Sequence, residues 1–350
     1  MGILVALLVL SVLIFVHELG HFSVARFFGV RVEVFSIGFG KKIYSKTINN
    51  TIWSLSLIPL GGYVQMKGQD DSDPTKISYD EDSYNVKKPW QKILILLAGP
   101  FANFIFAFIL YISIAVIGVP KLLPIVGGVS DNSPAFSIGL QKNDKIINID
   151  NKTVKYWEDI GKTINSSNGD IPIVVERNNK IIKLIFSPKI ISDINVFGED
   201  IKRKVIGISP LGTNSIKHFG FIGSIKYAFD ETKKASVLII TSLEKLLTGV
   251  VSADKVGGVI TIVDITAKAS SSGILALLFF TALISVNLGV LNLLPIPALD
   301  GGHIMFNIYE IFTGRVASDK AMQYITMFGW LILGALMFLG LYNDINRLIG

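Results

Sequence analysis

The stretch SVLIFVHELGHFSVARFFGV, residues 11–30, places His17, Glu18 and His21 inside a segment that is otherwise apolar enough for a lipid bilayer. Ionisable side chains are costly in hydrocarbon, and those found there usually mark a functional site. On an α-helix, residues four apart leave the same face one turn apart, so His17 and His21 point to the same side. This HExxH spacing is typical of zinc sites in which the glutamate acts as a general base. The stretch therefore predicts a membrane helix that carries a metal site.

The composition of the whole chain is that of a membrane protein. Hydrophobic residues make up 50% of its 350 residues, charged residues make up 17%, and the mean hydropathy is +0.54. The net charge of +6 comes from basic residues scattered beside apolar segments, so we predict no nucleic-acid partner. The sequence has no cysteine, which excludes thiolate metal ligands and leaves nitrogen and oxygen donors.

Four segments are long and apolar enough to cross a bilayer, which requires about 20 residues. They are residues 3–28, 93–119, 274–294 and 324–342. We expect a polytopic α-helical membrane protein with four transmembrane helices. The first segment lacks a basic start and a small-residue cleavage site, so we expect it to remain as a helix rather than be removed as a signal peptide.

Basic residues concentrate between the first two predicted spans, where they are Arg26, Arg31, Lys41, Lys42, Lys87, Lys88 and Lys92. The positive-inside rule places this loop in the cytoplasm. Both termini and the long region 120–273 then lie on the extracytoplasmic side.

The loop 30–91 carries two β-rich stretches, VEVFSIGFG (32–40) and TIWSLSLIPLGGYVQM (51–66). Their β-branched and aromatic residues, interrupted by glycine, predict a cytoplasmic-side β-hairpin. A hairpin that dips toward the membrane must line protein or a water-filled cavity. We expect an extended substrate to pair with its edge at Gly61, Gly62 and Tyr63.

Residues 126–160, VGGVSDNSPAFSIGLQKNDKIINIDNKTVKYWEDI, resemble a PDZ domain. The positions that match the pattern are Ser133, Pro134, Ala135, Gly139, Leu140, Asp144 and Ile146. The resemblance implies an α+β domain over residues 120–190 that binds peptide or substrate termini by strand addition. A small β domain that only packs is the alternative. The following region, 191–272, is predicted to connect to the membrane part and to contain an amphipathic helix near 216–250.

A catalytic zinc needs three protein ligands and an open position, so a third ligand is required besides His17 and His21. The stretch NLGVLNLLPIPALDGGH, residues 287–303, supplies Asp300 after two prolines that end the third span. The third span runs inward, which brings Asp300 to the same side as the histidines. His303 is the rival ligand, and we prefer Asp300.

The motifs HELGH, GGY, AGPFAN and NLLPIPALDGG, together with the PDZ-like insert, resemble the site-2 protease family of intramembrane zinc metalloproteases, in particular its bacterial regulator-of-sigma-E type. Proteins of that type often carry two PDZ domains, whereas this sequence shows one. The resemblance implies that His17, His21 and Asp300 bind Zn²⁺ and that Glu18 is the catalytic base. Residues 1–119 and 273–350 would form the two halves of the protease core.

The same resemblance implies that Asn287 and Asn292 help to hold the substrate, although asparagines in a bundle also bond helix to helix. It implies single-span membrane proteins as substrates, namely an anti-sigma factor already cut by a first protease and remnant signal peptides. It also implies residence in the bacterial cytoplasmic (inner) membrane, with the active site toward the cytoplasm.

Two other functions are alternatives to proteolysis. Intramembrane ionisable residues also mark ion pathways, so a metal-ion permease is one alternative. A permease has no need of a glutamate between two histidine ligands, and it gains little from a peptide-binding domain. A catalytically inactive PDZ scaffold is the other alternative, and the complete set of residues that zinc chemistry requires argues against it.

Overall fold

The computed structural model describes residues 2–69 and 78–349. Residues 70–77, which belong to the predicted loop 30–91, lie outside this description. The chain divides into two compact units: the first combines Met1–Ile114 with Gly223–Gly350, and the second is Ala115–Ile222.

The helices of the described chain follow in order: α1 (Gly2–Phe27), α2 (Pro89–Ile117), α3 (Pro134–Ser137), α4 (Trp157–Ser166), α5 (Phe221–Leu247), α6 (Val259–Ser272), α7 (Ile274–Asn292), α8 (Asp300–Thr313) and α9 (Asp319–Ile349). The strands are β1 (Val32–Ile48), β2 (Thr51–Met66), β3 (Val119–Leu122), β4 (Val126–Val129), β5 (Lys145–Ile149), β6 (Lys152–Thr153), β7 (Ile171–Arg177), β8 (Lys180–Phe186), β9 (Lys189–Ile194), β10 (Asp200–Val205), β11 (Ile208–Pro210) and β12 (Asn214–Lys217).

In the part of the chain that the structure describes, four helices are long and apolar enough to cross a membrane, and each coincides with a predicted span. They are Gly2–Phe27, Pro89–Ile117, Ile274–Asn292 and Lys320–Ile349. Runs of this length can satisfy their backbone hydrogen bonds internally, which is what a bilayer core demands. The chain is therefore a polytopic membrane protein.

The loop after α1 forms strands, as its composition predicts. β1 and β2 are joined by Asn49 and Asn50, both with positive φ, a conformation typical of two-residue hairpin turns. The pairing then continues on both sides of the first half of β1, because Phe35 has Trp53 as one neighbour and Val64 as the other. β2 thus flanks this part of β1 on two edges, and the hairpin is a small sheet rather than a simple ribbon.

The second unit is an α+β structure with its own hydrophobic core. Its largest sheet has the order β6-β5-β7-β8, and three two-stranded sheets join β9 to β10, β4 to β11 and β3 to β12. Buried side chains from several of these strands and from α3 and α4 form the core, among them Val126, Ala135, Ile146, Ile149, Ile160, Ile164, Ile173 and Phe186. The compact unit extends beyond the predicted boundary at residue 190, because β11 and β12 pair with strands near its start.

Within the first unit, α5 falls inside the predicted amphipathic segment 216–250, while α6 and α8 were not predicted as helices. α6 packs against α1, α7 and α9. Its contact with α1 is close, since a Cβ built on Gly2 would lie 2.7 Å from the Cβ of Ala267. α8 begins at Asp300, three residues after Pro297, so the proline-containing turn after α7 leads into a new helix.

Candidate metal centre

α1 and α8 bring three potential metal ligands together. His17 Nε2 lies 3.2 Å from His21 Nε2, as their four-residue spacing on α1 requires. Asp300, at the first position of α8, places Oδ2 3.3 Å from His17 Nε2 and Oδ1 3.4 Å from His21 Nε2. Among the described residues these three form the one group of histidine and acidic side chains with metal-site spacing.

The donor set and its spacing fit a zinc ion. Zinc–nitrogen and zinc–oxygen bonds of about 2.0–2.2 Å separate neighbouring ligand atoms of a tetrahedron by roughly 3.3–3.5 Å. The two histidine nitrogens are 3.2 Å apart, and each has one Asp300 oxygen at 3.3 or 3.4 Å, Oδ2 for His17 and Oδ1 for His21, so the carboxylate faces both nitrogens at close to this spacing. Asp300 Oδ2 is also buried and accepts no hydrogen bond among the described residues. A buried carboxylate oxygen with no donor is costly, and a cation between the three side chains would compensate it.

His303, the rival ligand in the sequence, does not belong to this group. Its backbone carbonyl accepts a hydrogen bond from Asn307 Nδ2, and its ring packs edge-on against Phe306 with a centroid distance of 6.2 Å. These contacts lie within α8 and describe a packing role.

Glycines allow α1 and α2 to approach closely at the histidines. A Cβ built on Gly99 would lie 2.2 Å from His21 Nε2, and one built on Gly20 would lie 2.2 Å from the carbonyl oxygen of Ala98. Real Cβ atoms do not tolerate such distances, so a larger residue at either position would separate the helices. Gly99 in AGPFAN therefore has a steric reason: it leaves room for the imidazole of His21.

The hairpin meets α1 beside Glu18. A Cβ on Gly62 would lie 3.2 Å from Glu18 Cγ and 2.7 Å from Ile14 Cγ2. Gly61 faces the ring of Phe39, and the same ring stacks on Tyr63 with a centroid distance of 6.3 Å. Of the three hairpin residues singled out in the sequence, Gly62 thus lies next to the acid of the HExxH motif, while Gly61 and Tyr63 pack with Phe39.

Asn287 and Asn292 are both half-buried in α7. Five helical residues correspond to a rotation of about 140°, so the two amides leave α7 in different directions. α7 lies close to α2 at this level, because Ser285 Oγ donates to the carbonyl of Asn103 at 2.8 Å. Their positions on α7 therefore do not by themselves indicate that both amides bind the same peptide segment.

One residue beside the metal group was missed in the sequence. Asn103 of α2 is fully buried, and its side-chain amide lies 3.2 Å from His17 Nδ1. The available signal was an amide within the second apolar span, which is unfavourable in lipid unless it has a partner.

Comparison with known proteins places these features in a family context. The model of peptidase family M50 matches residues 5–336. A protein of Campylobacter jejuni named as a zinc metalloprotease is 48% identical over 99% of this chain and 94% of its own length. A Helicobacter pylori protein, also named as a zinc metalloprotease, is 42% identical over 99% of both chains. The regulator of sigma-W protease RasP of Bacillus subtilis is 27% identical over 98% of this chain and 97% of its own.

Proposed function

The chain belongs to peptidase family M50 and is a zinc metalloprotease of the site-2 type, and from this premise we propose that it cuts peptide bonds within the transmembrane segments of single-span proteins. The observation that carries the proposal is the convergence of His17, His21 and Asp300 at 3.2–3.4 Å, with Glu18 in the same turn of α1. These three side chains would hold the zinc, and Glu18 would be the general base.

The residue types account for the chemistry of hydrolysis. A zinc ion bound at such a site lowers the pKa of a water ligand toward ~7 and polarises a carbonyl. Glu18 accepts a proton from the attacking water and passes it to the leaving nitrogen, the task of a general base that then acts as an acid. Glu18 is half-buried, with Gly62 of the hairpin beside it.

The substrate segment must unwind before its backbone is accessible, because a helix hides its amides in its own hydrogen bonds. Among the described residues, Gly62–Met66 pairs along one edge only, with Val32–Ile37. An unwound peptide that adds to the other edge would lie next to Glu18. We include Asn287 and Asn292 in the proposal as amides that accept or donate bonds to the freed backbone.

The proposed substrates are an anti-sigma factor already shortened by a first protease and remnant signal peptides. The name of the Bacillus subtilis relative, a regulator of sigma-W protease, supports the first class. The basic loop after α1 supports the cytoplasmic (inner) membrane orientation with both termini and Ala115–Ile222 outside. In this arrangement the PDZ-like unit acts on access, by admitting trimmed substrates and excluding bulky ones.

The proposal is tested by Glu18→Gln in the full-length protein. The amide keeps the shape of the side chain but cannot take the proton, so we expect zinc content equal to the parent and cleavage reduced about 10²–10⁴-fold. Zinc is measured by elemental analysis, and cleavage is measured on a purified single-span substrate in liposomes.

His21→Ala is the matched control, because it should lose both zinc and cleavage. A Glu18→Gln variant that cleaves within tenfold of the parent would contradict the role of Glu18.

A further inference from the structure

α2 supplies partners for the outward-facing nitrogens of both histidines. His21 Nδ1 lies 2.8 Å from the carbonyl oxygen of Ile95, buried between the two helices. A carbonyl oxygen only accepts hydrogen bonds, so His21 Nδ1 carries the hydrogen. The lone pair of His21 then resides on Nε2, the nitrogen that faces His17 and Asp300.

The corresponding partner of His17 is Asn103. Its side-chain Nδ2 lies 3.2 Å from His17 Nδ1, while Asn103 Oδ1 is buried and accepts no hydrogen bond among the described residues. If Nδ2 donates to a bare Nδ1, the hydrogen of His17 sits on Nε2, where it blocks a metal. A half-turn of the Asn103 amide about its Cβ–Cγ bond exchanges Nδ2 and Oδ1.

We propose that Asn103 is a positioning residue of the zinc site, whose Oδ1 accepts a hydrogen bond from the Nδ1–H of His17. This inference rests on the proposed ligands His17, His21 and Asp300. In the rotated orientation Oδ1 occupies the position 3.2 Å from His17 Nδ1 and gains a donor. The bond fixes the tautomer whose Nε2 lone pair faces the metal, and it fixes the plane of the ring.

The backbone of Asn103 is itself held in place. Ser285 Oγ of α7 donates to the Asn103 carbonyl at 2.8 Å, and both residues are fully buried. α7 also approaches α2 at Gly289, where a Cβ would lie 3.1 Å from the carbonyl oxygen of Pro100. The amide is therefore presented from a rigid contact between two helices, which is what an outer partner of a metal ligand needs.

This proposal explains the motif AGPFAN, although none of its residues takes part in the reaction. Gly99 makes room for the imidazole of His21, and Asn103, one turn later on α2, orients the imidazole of His17. α2 thus serves as the template on which the two histidines of α1 are aligned, although it provides no ligand.

The test compares zinc affinity in three full-length proteins by competition with a chelator. Asn103→Leu keeps the approximate size but has no acceptor, and we expect its zinc dissociation constant to rise about 10–100-fold. Asn103→Asp keeps an acceptor for Nδ1–H, and we expect its dissociation constant to stay within about fivefold of the parent, as in carboxylate–histidine–zinc arrangements.

Two controls separate positioning from a general loss of stability. Asn343→Leu removes another buried amide of the same unit, one that donates to the carbonyls of Ala253 and Val256. It should lower the melting temperature and leave zinc affinity unchanged. His17→Ala should lose zinc, and if it binds zinc like the parent, the proposed ligand set fails independently of Asn103.

The inference is overturned if Asn103→Leu is folded and binds zinc like the parent, or if Asn103→Asp loses as much affinity as Asn103→Leu. Should Asn103→Leu not fold, ¹⁵N NMR of histidine-labelled, zinc-loaded parent protein decides. A His17 Nδ1–H signal that shifts in Asn103→Asp supports the bond, and a signal that does not shift overturns it, because any neutral imidazole that binds zinc through Nε2 carries a hydrogen on Nδ1.

Discussion

Each of the two units contains an aspartate that is shielded from solvent: the side chain of Asp144 is fully buried and that of Asp300 is 16% exposed, and their surroundings treat them differently. Asp144 of the second unit is fully buried and accepts hydrogen bonds from Arg177 at 2.6 Å through both oxygens and from the backbone of Gln141 at 2.9 Å. Asp300 of the first unit faces two histidine nitrogens, and its Oδ2 accepts no hydrogen bond among the described residues.

The difference is the one we expect between a carboxylate that stabilises a fold and one that holds a metal ion. Asp144 has a permanent cation, and its hydrogen bonds raise the pKa of Arg177 above the ordinary value. A carboxylate with such partners stabilises a fold without further ligands. Asp300 faces two imidazoles, and the Nδ1 atom of each imidazole already lies at hydrogen-bond distance from a group of α2. The side chains around Asp300 therefore supply no permanent cation, and we expect a divalent metal ion to fill that role.

The largest effect on stability is expected for Asp144→Asn. Removing one member of a buried pair leaves the other charge poorly compensated, which costs about 3–5 kcal/mol when both members are buried. The side chain of Arg177 is 23% exposed, so we expect a somewhat smaller loss, about 2–3 kcal/mol, confined to the second unit. Chemical denaturation followed by hydrogen exchange of β5 and β7 measures it.

The same variant tests the proposed control of access. With Ala115–Ile222 destabilised, an untrimmed substrate should be cleaved at a rate closer to that of a trimmed one, while the trimmed substrate keeps its rate. Arg177→Lys, which retains the charge, is the matched control. Unchanged refusal of the untrimmed substrate by a protein whose second unit is demonstrably unfolded would show that this unit does not filter substrates.

A smaller loss of stability is expected for a change at Glu310. Its carboxylate has a cationic partner, as Asp144 does, but it is only partly buried, as Asp300 is. Glu310 of α8 pairs with Lys92 of α2 at 3.3 Å, and the two side chains are 20% and 10% exposed. Glu310→Gln should lower stability by about 1 kcal/mol, because a partly buried ammonium loses its counter-charge. A double variant, Lys92→Met with Glu310→Leu, should recover most of the loss in a thermal melt. If the double variant stays as unstable as Glu310→Gln, mutual charge compensation is not the main contribution of the pair to stability.

The membrane part of the fold was predictable because its signals are local. Long apolar runs define the four spans, and the β-branched stretches 32–40 and 51–66 define β1 and β2. α6 was missed because it has only 14 residues and carries Asp264 and Lys268, so it resembles neither a span nor a clear amphipathic helix.

The remaining features depend on contacts between distant residues. β11 and β12 belong to the second unit only because they pair with β4 and β3, more than 75 residues earlier in the chain. The HExxH motif and Asp300 could be selected from residue type and topology. The place of Asn103 beside His17 depends on the close approach of α1 and α2, which local sequence does not specify.

The comparison of the two aspartates is tested most directly by zinc binding to purified full-length protein. We expect one zinc per chain in the parent and in Asp144→Asn, and a loss of at least about 100-fold in affinity in Asp300→Asn, since removing a ligand costs more than removing an outer partner. Asp300→Asn that retains the zinc affinity of the parent, with the loss appearing in His303→Ala, would contradict the account.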